Sequence, residues 1–141
     1  MDSSHRNLTS DLIGRIRALG PIVAQYRAEF DCLRRLPECV TDALVDADLF
    51  RLWTPRALGG AEIGPQALVE VIEAAAALDG SFGWCLTNAN TMGRMVAYLP
   101  PEVARDWVAG PDCQMAGSTA ALGTARRVKG GFEVTGRWPF A

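Results

Sequence analysis

The chain has little histidine and little lysine. It has one histidine, His5, and one lysine, Lys129. With its single imidazole in a polar N-terminal stretch, neither a histidine-built zinc site nor a triad needing a histidine base is expected. Four cysteines, Cys32, Cys39, Cys85 and Cys113, form no CxxC pair, so neither a zinc ribbon nor a thioredoxin-like motif is written here. They are expected as free thiols in or near the core, in a reducing compartment. No run approaches the ~18 apolar residues of a membrane span. The opening MDSSHRNLTSD has no apolar leader segment, and a cytoplasmic location is expected. A net charge of −2 leaves no electrostatic footprint for nucleic acid.

What is present fits a globular chain. Apolar residues make up 49% and charged ones 21% of 141 residues, enough to bury one core and too apolar for disorder. Leu8, Leu12, Ile13, Ile16 and Leu19 recur at helical spacing, and Ile22, Val23, Tyr26 and Phe30 resume it after Gly20-Pro21. A first helix therefore ends near Leu19 and Pro21 begins a second. Pro37 opens a third, with Val40, Leu44, Ala47 and Phe50 inward. Arg51 to Gly64 holds Thr54-Pro55 and Gly59-Gly60 and reads as a loop. Pro65 opens a helix carrying Leu68, Val71, Ile72, Ala75 and Leu78. Its small residues, Ala74 to Ala77, would let a neighbour approach closely. Asp79-Gly80 reads as its left-handed cap and Ser81 as the N-cap of the next helix, which runs to about Leu99. Pro100-Pro101 stops that helix, and a short one covers Val103 to Val108.

From Asp112 the period changes. Cys113 to Trp138 reads as the opening strands of a β-sheet, with Ala125–Lys129 and Phe132–Arg137 flanking a Gly130-Gly131 hairpin turn. Phe132 and Val134 alternate with Glu133 and Thr135, which makes one face apolar. The chain is then α+β: an all-α helical bundle over residues 1–111, followed over 112–141 by the first strands of an incomplete β-barrel domain. A lone hairpin is marginal in water. The expectation is that a partner completes the sheet or that the chain is the front part of something larger.

The helix after Ser81 has two faces. Phe82, Leu86, Ala89, Gly93 and Val96 form the regular apolar one. Trp84, Asn88, Met92 and Met95 share the other. Asn88 and Asn90 lie about 200° apart round the axis and cannot enter one pocket together. Asn88, between Trp84 and Met92, is the candidate polar group lining an apolar cleft. The plainer reading, which the residues alone favour, is a central helix with Asn88 satisfied by a neighbouring carbonyl. Gly117-Ser118-Thr119 lies where a strand runs into a loop, a place where hydroxyls and backbone N–H groups can hold a carbonyl or phosphate oxygen. A plain loop is the simpler reading. No Walker or dinucleotide fingerprint is present.

Two blocks together resemble a known family. Leu52, Pro55, Gly59, Gly60, Asp79, Ser81 and Trp84 stand as in the N-terminal helical domain of the acyl-CoA dehydrogenase superfamily. The block from Ala116 to Ala141 resembles the start of its middle β domain. Gly117, Ser118, Gly130, Gly131, Phe132, Gly136, Arg137, Trp138 and Phe140 match the two-component flavin-dependent monooxygenase branch. The T-E-P-x-x-G-S-D segment of true dehydrogenases is absent. Phe140 falls at their tryptophan place and Ala141 at the next.

The resemblance implies a flavin-dependent oxidoreductase, the N-terminal part of a monooxygenase that uses reduced flavin (FAD or FMN) on an aromatic or polycyclic small molecule. It implies a separate flavin reductase as partner and a homo-oligomer at full length. Gly117, Ser118, Thr119, Trp138, Phe140 and Ala141 would contact the cofactor, and Trp84, Asn88 and Met92 the substrate. The histidine that polarises substrate in several such monooxygenases has no counterpart; Asn88 or Asn90 stands near its place. An FAD-dependent acyl-CoA dehydrogenase is the alternative, and a non-catalytic helical module or inactive fragment is the reading from another class. No catalytic residue and no metal ligand is assigned.

Overall fold

The computed structural model describes residues 3–110 and 113–138. Six α-helices come first: α1 (Ser3–Ala18), α2 (Gly20–Leu33), α3 (Glu38–Asp46), α4 (Pro65–Leu78), α5 (Gly80–Gly93) and α6 (Pro101–Trp107). Short 3₁₀ turns cover Arg56–Leu58 and Arg94–Tyr98. Two antiparallel strands, β1 (Thr124–Val128) and β2 (Gly131–Thr135), follow. This is the expected order of a helical bundle and then the start of a β-sheet.

Proline sets four of the helix starts. Pro21, Pro65 and Pro101 occupy the first turns of α2, α4 and α6, where a missing N–H costs nothing, and Pro37 is the N-cap residue of α3. One core gathers every helix up to α5: Leu12 and Ile16, Val23 and Phe30, Val40 and Leu44, Leu68 and Val71, and Phe82 and Leu86 are all buried. The connection before α4 adds Leu49, Phe50, Leu52 and Ile63. A small second cluster of Val96, Ala104 and Val108 lies beneath α6, with Met115 packed against it.

The loop between Arg51 and Gly64 is held by its own backbone. Ala61 N–H donates to the Arg51 carbonyl at 2.9 Å and Ile63 N–H to that of Leu52 at 2.9 Å. Gly59 sits at φ +80°, and a side chain on Gly60 would collide with the Thr54 carbonyl, so both glycines are required. Arg51 donates to the carbonyls of Leu58 at 2.7 Å and Val108 at 3.0 Å, tying this loop to the end of α6.

Four boundaries differ from expectation. Helix α3 ends at Asp46, so Ala47 and Phe50, expected on its inward face, lie past it, with Phe50 buried from the following connection. Ser81 is not the cap of α5. Asp79 is extended (φ −164°, ψ 138°), and its carboxylate accepts from the N–H groups of Ser81 and Phe82. One extended residue thus ends α4 and caps α5, leaving no room for a left-handed turn. Helix α5 stops at Gly93, and the path to Tyr98 tightens into a 3₁₀ turn. In the hairpin, Thr124 pairs with Thr135 and Val128 with Gly131, so the turn is Lys129-Gly130, with Gly130 at φ +90°. Arg126 then opposes Glu133, forming an ion pair, and the Arg127 guanidinium lies 5.1 Å from the centre of the Phe132 ring. Residues 113–122, expected as strand, form neither helix nor strand, and the Leu122 N–H turns back to the Ala120 carbonyl at 2.9 Å. The Phe132 and Val134 face is exposed.

Candidate functional site

Helix α5 presents the face that its spacing foretells. Phe82, Leu86 and Ala89 enter the core, while Trp84 stands 58% exposed on the other side. Asn88 and Met92 follow on that side, half-buried. The irregular segment after α6 comes back across them, where Gly117 meets Asn88. Trp84, Asn88, Met92, Gly117, Ser118 and Thr119 thereby border one hollow of about 280 Å³, together with Thr87 and Thr91. Six candidate residues, three from each stretch, meet there. Trp138 does not join them: its indole lies over Gly123 and Gly136 at the base of the hairpin, in space their missing Cβ atoms leave. Phe140 and Ala141 lie outside the described residues.

The polar atoms of the hollow are largely engaged. The Asn88 carboxamide donates to the Gly117 carbonyl at 3.3 Å and accepts from the Gly117 N–H at 3.2 Å. Thr87 donates to the Gly83 carbonyl at 2.7 Å, and Thr91 to that of Thr87 at 2.8 Å. The Ser118 hydroxyl accepts from the Ala120 N–H at 3.3 Å. The backbone N–H groups of Ser118 and Thr119 have no acceptor among the described residues. A Cβ on Gly117 would stand 2.5 Å from the Met92 sulfur, so the thioether rests directly on the peptide. No lining residue titrates near neutrality. The wall can hold a flat apolar group and donate N–H bonds to its oxygens, and none of its lining side chains is an acid or base.

Asn90, the other asparagine considered, is structural. It is fully buried, accepts from the Leu52 N–H at 2.8 Å, and donates to the carbonyls of Leu49 at 2.9 Å and Leu86 at 3.0 Å. Sequence reasoning missed the two threonines, although their four-residue spacing carried the signal. It also missed an adjoining apolar groove of about 480 Å³ that includes Met92, Met95, Leu99, Trp107 and Met115. Met92 lines both spaces. Larger hollows of about 550 and 540 Å³ lie around Arg34 and Arg35, away from Ser118. Size does not choose between these sites; the convergence of motif residues does.

No protein-family model matches the chain. Curated proteins do. The chain is 32% identical over 113 residues to an indole-3-acetate monooxygenase of Pseudomonas putida, covering 80% of this chain and 29% of that protein. It is 28% identical over 128 residues to the oxygenase subunit HsaA, a flavin-dependent monooxygenase of Rhodococcus jostii, covering 90% of this chain and 34% of the relative. An FADH₂-dependent resorcinol hydroxylase oxygenase component from Rhizobium is 29% identical over 131 residues, covering 92% and 32%. Among solved structures, XiaF from Streptomyces, in complex with FADH₂ and glycerol, superposes with a TM-score of 0.90 at 31% identity. That match covers 97% of this chain and 35% of XiaF. The chain spans about a third of the length of the curated relatives it matches. No helix among the described residues is long and apolar enough to cross a membrane.

Proposed function

We propose that this chain, related to the oxygenase components of two-component flavin-dependent monooxygenases and folded as the helical start of the acyl-CoA dehydrogenase-like fold, supplies one wall of a site where reduced flavin meets an aromatic small molecule. The observation that carries the reading is the meeting of the Trp84–Asn88–Met92 face with Gly117–Thr119 in one hollow. The residues fit the cofactor. The free N–H groups of Ser118 and Thr119 suit its carbonyl or phosphate oxygens, and the Met92–Gly117 surface suits a flat ring. When bound, the flavin supplies the oxygen-activating redox chemistry.

The chain's own residues do the rest by shape. Trp84 and Met92 offer broad, polarisable surfaces to an aromatic or polycyclic substrate and displace water from beside it. Asn88 is committed to Gly117 and takes no part in proton transfer. Helices to residue 111 and the β segment from 112 act as two domains meeting at this seam. A separate flavin reductase delivers the cofactor, and the complete protein is a homo-oligomer. The free thiols of Cys32, Cys39, Cys85 and Cys113 suit a reducing cytoplasm.

Anaerobic titration of FADH₂ into the intact protein tests the reading. Saturable quenching or enhancement of reduced-flavin fluorescence is expected. Oxygenation of an aromatic substrate should follow when air is admitted. A cooperatively folded protein that leaves the flavin spectrum untouched would instead favour a non-catalytic helical module. Thioester-dependent flavin reduction would favour the acyl-CoA dehydrogenase alternative.

A further inference from the structure

We infer that Asn88 is a positioning residue, whose carboxamide clamps the Gly117 peptide and so sets where the Ser118-Thr119 loop stands against α5. The consequence for ligand binding rests on the flavin-site reading above; the clamp itself does not.

A carboxamide carries the same donor–acceptor edge as a peptide group. Asn88 uses both halves, at 3.2 and 3.3 Å, on the N–H and C=O of one residue. This is the way an adjacent strand would pair with Gly117. The helix thus presents one side chain as a stand-in for a strand. Among the described residues, the other hydrogen bonds between the helical part and residues 113–138 all end at Cys113. Its N–H donates to the Gly110 carbonyl at 3.3 Å and its thiol to that of Trp107 at 2.7 Å. Past that point, Asn88 is the polar tie that fixes the loop's distance and its rotation.

Neighbouring groups cannot substitute. The Thr87 and Thr91 hydroxyls are bonded back along the helix. Gly117 completes the device, because any side chain there would drive the Met92 sulfur away. A loop fixed before the ligand arrives loses less freedom on binding, so the Ser118 and Thr119 donors bind more tightly than a loose loop could.

Hydrogen exchange and FADH₂ binding on the intact protein, wild type against Asn88→Leu and Asn88→Asp, test the clamp and its purpose separately. Leucine removes both bonds. Aspartate keeps the acceptor for the Gly117 N–H and sets an oxygen against the Gly117 carbonyl. In Asn88→Leu the Gly117 amide should exchange about tenfold faster, the worth of a typical hydrogen bond, while α1 to α4 amides are unmoved. Asn88→Asp should restore Gly117 protection in part. FADH₂ should bind about tenfold more weakly to Asn88→Leu, with its fluorescence shifted towards that of free flavin.

Unchanged Gly117 exchange in both variants overturns the clamp. Faster exchange with wild-type FADH₂ affinity and emission overturns the positioning role. If wild-type protein leaves FADH₂ unperturbed, the flavin reading and the positioning role fall together, while the exchange arm still decides the clamp.

Discussion

Gly83 on α5 lies directly on the backbone of Ala76 on α4: a Cβ at Gly83 would stand 2.8 Å from the Ala76 Cα. The alanine run thus does what its composition suggested, letting two helices joined by one residue fold tightly together. Gly83→Ala should therefore destabilise the fold by about 1–3 kcal/mol, despite the better helix propensity of alanine, because rigid backbone must move. Gly14 on α1 is the control. Nothing lies within 4 Å of its missing Cβ, so Gly14→Ala should stabilise by about 0.5–1 kcal/mol. Urea unfolding of both variants checks the pair. Shifts of the same sign would mean that helix propensity, not interhelical contact, governs both sites.

Asn90 holds the loop before α4 to α5 from inside the core. Asn90→Ala would strand the buried Leu52 N–H and leave the Leu49 carbonyl without its donor. A loss of about 3 kcal/mol is expected in urea unfolding. Asn90→Asp should fare no better, since it would bring a carboxylate against the carbonyl oxygens of Leu49 and Leu86. An Asn90→Asp variant as stable as wild type would show that these carbonyls can turn away.

Much of this was legible because the signals are local. A proline at 21, 37 or 65 cannot sit inside a helix but opens one well. Core positions such as Leu12, Ile16, Phe82 and Leu86 follow from a period that any helix obeys. The four-residue spacing of Trp84, Asn88 and Met92 likewise established that they share a face. Their meeting with Gly117 could not be read, since it joins positions 29 apart. Nor could the buried role of Asn90, whose loop partners lie 38 and 41 positions away. Ser81 misled because serine and aspartate both cap well; the single extended residue at 79 decided for Asp79.

That aspartate does two separable things. Its Oδ1 accepts from the N–H groups of Ser81 at 2.8 Å and Phe82 at 3.1 Å, while Oδ2 meets the Arg27 Nε at 3.1 Å. Arg27 also donates to the Leu78 carbonyl. Asp79→Ala should cost about 1 kcal/mol, the usual value of an N-cap. Asp79→Asn keeps the capping oxygen and loses the charge. Because the Arg27 side chain is 58% exposed, the ion pair is weak, and this variant should lose only a few tenths, on the order of 0.3 kcal/mol. Equal losses in urea unfolding would shift the weight from the cap to the ion pair.

Alkaline pH should expose a further coupling, at Cys85. Burial pushes its thiol above the ordinary value of 9.0, and the nearby Asp79 carboxylate adds to the rise. The folded state therefore holds this proton more tightly than the unfolded chain does. Below the unfolded pKa that contribution to stability is fully present. As pH climbs past about 9 the unfolded thiol ionises first, and the contribution is lost progressively up to the folded pKa. Tyr26, also raised, chiefly by its bond to Cys39, pulls in the same direction, so the comparison must be made between variants. Urea midpoints measured from about pH 7 to about pH 10.5 should fall more steeply for wild type than for Cys85→Ala. Parallel curves would mean that the Cys85 thiol ionises alike in both states, and that its burial places no restraint on it.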